Sequence, residues 1–119
     1  MLGLSILKQA YSLLDEPDKK ANADGDEIGL VAVNQIYGEL WHRFHDTPFL
    51  PLEHLRQKVD LHWRCMPAMA YGTAMLLCLN GEKETAYTRY QALYERAASH
   101  IGALPYKRAL MTYRGGASE

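Results

Sequence analysis

Residues 65–79, CMPAMAYGTAMLLCL, run without a single charge and are followed at once by Asn80 and Gly81. A stretch of this kind has to be buried, either in lipid or in protein. Its fifteen positions fall short of the roughly 18 to 20 apolar residues that cross a bilayer, and Pro67, Gly72 and Thr73 interrupt it, so burial in protein is the expectation. Small side chains at Ala68, Ala70, Gly72 and Ala74 let neighbouring helices approach closely. The run therefore predicts a central helix, with Pro67 in its first turn and Gly81 ending it in a left-handed conformation.

The flanking sequence supplies helices to pack on it. Over residues 4–14, Ile6, Leu7, Ala10, Tyr11 and Leu14 recur every three or four positions, which predicts a short amphipathic helix ending before Pro17. Residues 15–26, DEPDKKANADGD, hold no apolar side chain larger than alanine and predict a solvated loop, with Asp26 as N-cap of the next helix. Over residues 27–44, Ile28, Ala32, Ile36, Leu40 and Phe44 recur every four positions, and Val33, Tyr37 and Trp41 widen the stripe. Asn34, Gln35, Glu39, His42 and Arg43 take the opposite side, where Glu39 and Arg43 form an i, i+4 pair worth about 0.2 to 0.5 kcal/mol.

Pro48 and Pro51 then force an extended connection. Residues 52–64 read two ways: Leu52, Leu55, Val59 and Trp63 would line one side of a helix, whereas Val59, Leu61 and Trp63 alternate as in a strand. After the apolar run, residues 82–101 place Tyr87, Tyr90, Tyr94, Ala97 and Ile101 at helical spacing. The short turn between these two helices predicts an antiparallel hairpin. The fold class expected is all-α: a small bundle of about four helices with an irregular bridge, spanning residues 1–104, and an extended C-terminal docking tail, residues 105–119.

Chemistry-bearing patterns are sparse. At 119 residues and a net charge of −1 the chain is one domain with no strong field to steer nucleic acid or an anionic membrane. Its two cysteines, Cys65 and Cys78, match neither a zinc spacing nor a disulfide framework. Aligning Gly25 with the glycine of a calcium loop puts Lys20 and Val31 at ligand positions, which excludes an EF-hand. His42, His45 and Asp46 lack the metalloprotease spacing, and His54, His62 and Cys65 form no recognisable ligand set. Ser5, Ser12, Ser99 and Ser118 have no nucleophile motif around them, and a thiol at Cys78 is expected to behave as a small hydrophobe with a raised pKa. Tyr87, Tyr90 and Tyr94, with Arg89 and Arg96 nearby, admit base stacking, but the same stripe has to pack on the central helix. The expectation is no enzyme, no cofactor and no metal. The N-terminal residues carry Ser5, Lys8 and Gln9 and so do not read as a secretion signal, which leads to an expected cytoplasmic setting.

The order of parts resembles the small head-to-tail connector, or adaptor, proteins of tailed bacteriophages and prophages. The resemblance lies in LKQAYSLLDE, the acidic loop, VAVNQIYGELW, the proline-broken bridge, MPAMAYGTAMLLCLNGE and YQALYERAASHI. It implies a helical-bundle subunit that forms a homo-oligomeric ring below the portal protein, meets tail or stopper components, and passes DNA without reading its sequence. It implies the host cytoplasm during assembly and the head–tail junction of the virion afterwards. The tail mixes adhesive and basic side chains at Tyr106, Lys107, Arg108, Leu110, Tyr113 and Arg114, a composition suited to partner binding. The competing expectation is a small cytoplasmic helical regulatory module that binds a partner protein or nucleic acid.

Overall fold

The computed structural model describes residues 1–81 and 83–102. It is an all-α bundle: α1 (Gly3–Leu13), α2 (Pro17–Ala21), α3 (Glu27–Phe44), a 3-10 turn (Trp63–Cys65), α4 (Met66–Asn80) and α5 (Glu84–Ser99). The four long helices stand where the hydrophobic periods put them. α4 is the central element, packed against α5 and also against α1 and α3. Among the described residues there is no strand, and one isolated antiparallel bridge joins Leu2 to Lys58.

Packing around α4 follows from its small residues. A Cβ on Gly72 would lie 2.8 to 2.9 Å from three side-chain carbons of Ile36, so the absence of a side chain there is what seats α3 on α4. Ile6, Leu7, Val33, Ile36, Leu40 and Met69 are wholly buried around this contact. From α5, Tyr90 and Tyr94 reach into the same core. Tyr90 donates to the carbonyl of Leu13 at 2.7 Å and Tyr94 donates to Glu39 at 2.6 Å. Each phenol thereby buries its ring while satisfying its hydroxyl. The stripe on α5 is core, with Tyr87 half-buried at its margin.

Several local expectations are corrected. The acidic stretch contains a helix, α2, begun by Pro17 and flanked by Asp18 at its start and Lys19 and Lys20 at its end, charges that suit the helix dipole. Nothing in α2 is buried. Gly81 closes α4 at φ −91, an ordinary right-handed geometry, because its N–H reaches back to the Leu77 carbonyl at 3.3 Å without a left-handed turn. Left-handed backbone occurs at Gly25, Gly102 and Asp15. At Asp15 it ends α1 with paired bonds from Asp15 N–H to Ser12 and Glu16 N–H to Tyr11. Asp26 caps α3 as expected, accepting from Gly29 N–H at 2.9 Å.

The bridge is neither of its two alternatives. Asn34 on α3 holds it by a double hydrogen bond to one residue, accepting from Leu52 N–H at 2.7 Å and donating to the Leu52 carbonyl at 2.9 Å. Further on, the Leu55 and Gln57 carbonyls accept from Leu4 and Gly3 N–H at 2.7 and 3.0 Å. These carbonyls satisfy the free N–H groups at the start of α1, which has no side-chain cap. Leu52, Leu55 and Val59 are buried by this wrapping, whereas Trp63 is not.

Candidate functional site

The groups that could carry chemistry are absorbed locally. Asp24 forms an exposed pair with Arg56, with Nη2 at 2.5 Å and Nε at 3.1 Å, and the hydrogen bond from Arg56 holds its carboxyl below the usual carboxylate range. Asp26, besides capping α3, accepts from the Tyr11 hydroxyl. Burial, then that hydrogen bond, raises the Tyr11 pKa; burial and then Glu39 do the same to Tyr94. His45 stacks on Trp41 with ring centroids 3.8 Å apart, and His62 Nδ1 accepts from Arg64 N–H at 3.2 Å. Cys65 and Cys78 are both free and buried; burial pushes the Cys65 thiol up to about 11 and raises Cys78. No group of three or more His, Cys, Asp or Glu among the described residues could hold a metal ion. None of the described helices is long and apolar enough to cross a membrane.

What remains is surface. Trp63 is 72 % exposed, standing on the 3-10 turn ahead of α4. The Arg64 guanidinium lies over its ring at 5.7 Å. Beside it is an open groove of about 730 Å³ floored by Leu13, Met66, Pro67, Tyr71 and Ile101, with Gln9, Arg64 and His100 as its polar members. A second groove, about 400 Å³, lies between α3 and the last turns of α4 and is lined by Ile28, Val31, Ala32, Leu76 and Leu79, with Glu27 and Gln35 at its edge. Ile28, Val31 and Leu79 are 57 %, 65 % and 58 % exposed. Large apolar side chains exposed together in this way mark contact surface.

Three of these residues were expected to be buried: Ile28, Trp63 and Leu79, the last residue of the uncharged run, which stands 58 % exposed on the α3/α4 groove. Ile28 heads the four-residue stripe of α3, but a helix turns once every 3.6 residues, so each step of four precesses by about 40°. Over the three steps from Leu40 back to Ile28 the stripe has walked off the buried face. Ile28 then pairs with Val31, three positions on, as a second face that the spacing i, i+3 could have revealed. Trp63 was assigned to the bridge's buried side in both of its readings, and the loop path turns it outward. Glu39, expected to pair with Arg43, also accepts a hydrogen bond from the Tyr94 hydroxyl and so anchors it. The binding residues expected in the tail, Tyr106, Lys107, Arg108, Leu110, Tyr113 and Arg114, lie outside the described residues, as does the domain boundary after 104.

Comparison with protein-family models, with curated proteins and with solved structures finds no match.

Proposed function

We propose that this chain is a non-enzymatic structural subunit of a phage or prophage head-to-tail connector, assembling as a ring below the portal and lengthening the channel through which DNA passes. The observation that supports it most is a small all-α bundle bearing two separate exposed apolar faces, one at Trp63 and one at Ile28, Val31 and Leu79. A subunit in a ring has to touch two neighbours, and a subunit between portal and tail has to touch more. The resemblance in helix order supplies the particular assembly. A net charge of −1 suits a channel wall past which DNA slides without being held or read.

The α3/α4 groove also suits a single amphipathic helix of a partner, which is the basis of a second reading as a helical regulatory module. Purified particles from a host carrying the gene separate the two. The connector reading expects the chain at the head–tail junction, bound to the portal, with its gene beside those for portal, capsid and tail. Its absence from particles, together with sequence-specific DNA binding in a salt titration, would establish the regulator instead.

A further inference from the structure

α4 offers apolar surface on two opposite sides. Met66, Pro67, Ala70 and Tyr71 border the groove beside Trp63, and Leu76 and Leu79 border the groove beside Ile28 and Val31. At 3.6 residues per turn the first set is centred about 180° around the helix from the second, and Met66 and Leu79 are separated by about 20 Å of rise. The two faces thus look away from each other at opposite ends of the central helix. They cannot both be served by a single partner surface lying on one side of the molecule.

Their edges differ in charge and in shape. The first carries Arg64 and His100 and a projecting indole; the second is a shallow trough with Glu27 on its edge. The nearby Arg56 is paired with Asp24. From this placement we infer that the chain binds copies of itself heterologously, Trp63 of one subunit entering the Ile28, Val31 and Leu79 trough of the next, with Arg64 set against Glu27. Self-pairing of either face would gather like charges, two Arg64 or two Glu27, in one interface with no opposite charge from the other face. The crossed arrangement brings unlike charges together and gives the indole a cavity to fill, and Trp and Arg are the side chains that most often dominate an interface. A heterologous contact closes into a ring or continues as a filament. The inference rests on the self-assembly part of the connector reading and gives it surfaces.

The test uses the purified full chain in sedimentation across a concentration series. Wild type is expected to assemble beyond a dimer. Trp63→Ala and Val31→Lys alter exposed residues, so their melting temperatures should match wild type while self-association weakens by about tenfold or more. Mixed in equal amounts the two variants should form a dimer and stop, because each retains one working face and the pair shares one complete contact. Arg64→Glu and Glu27→Arg should each weaken association, and the double variant should restore it. The inference is overturned by a wild-type chain that stays monomeric to millimolar concentration, by a Val31→Lys chain that assembles normally, or by a mixture no better than its parts. A chain that assembles alone yet never joins a portal keeps this contact and loses the connector reading; one that joins a portal while showing none of this self-association does the reverse.

Discussion

Gly72 shows how one missing side chain sets the distance between two helices. Alanine there gains about 0.8 to 1 kcal/mol of helix propensity over glycine. Against that, its methyl would overlap the wholly buried Ile36 at Cγ1 and Cγ2 as well as at Cδ1, so turning the far end of that side chain does not clear it, and overpacking of this kind costs about 1 to 3 kcal/mol. Gly72→Ala is therefore expected to lower the unfolding free energy, and Ile36→Val in the same chain to recover part of the loss. Chemical denaturation of the single and double variants checks this; strictly additive effects would show that the two residues do not touch. Cys65 provides a second reading at this scale. Its folded pKa, about 11, lies above the ordinary 9.0, so the neutral thiol is what the fold favours. That contribution is complete below pH of about 9 and is lost as pH rises towards about 11. Tyr11 and Tyr94, both raised above 10.0, act with the same sign at higher pH. Thermal melts should fall progressively over this alkaline range, with Cys65→Ala flattening the first part of the decline.

Among the elements, α4 is the one whose loss of packing would be felt most. Met69 is wholly buried, and Met69→Ala is expected to cost about 2 to 5 kcal/mol, whereas Leu76, half-buried beside the α3/α4 groove, has less to lose. Urea unfolding with equal slopes and different midpoints would express this; equal losses at both sites would mean that the groove side of α4 is as closed as its core side. The long helices were legible because an uncharged run and a three-to-four period are local signals. α2 was not, since Pro17, Asp18 and two lysines form a helix with no buried face to announce it. The bridge was illegible for a different reason. Its path is set by Asn34, eighteen residues before Leu52, and by the N–H groups of α1, and no window along the bridge itself contains those partners. The apolar grooves were half legible: Ile28, Val31, Ala32, Leu76 and Leu79 of the α3/α4 trough are visible as hydrophobic, but only the precession of α3 reveals that Ile28 and Val31 are turned away from the core.

For the whole molecule, the fold and the proposed docking tail meet near the end of α5. Tyr94, Ala98 and Ile101 are buried in the core, and Gly102, the last described residue, has left-handed backbone at φ +65. Among the described residues, the elements that pack on α4 are α1, α3, the 3-10 turn and α5. The first thirty residues hold Asp15, Glu16, Asp18, Asp24, Asp26 and Glu27 against Lys8, Lys19 and Lys20, whereas the residues after 104 bring Lys107, Arg108 and Arg114 with a single acid, Glu119. Opposite charge at the two ends suits head-to-tail contact between molecules. Ending the chain after Leu104 is therefore expected to leave helicity and melting temperature close to those of the full chain, while removing its attachment to the portal. Circular dichroism melts and portal co-sedimentation of the truncated chain measure the two effects separately. A sharp fall in melting temperature would mean that Leu110 and Tyr113 complete the core of their own subunit, and undiminished portal binding would remove the docking role from the tail and leave attachment to the faces at Trp63 and Val31.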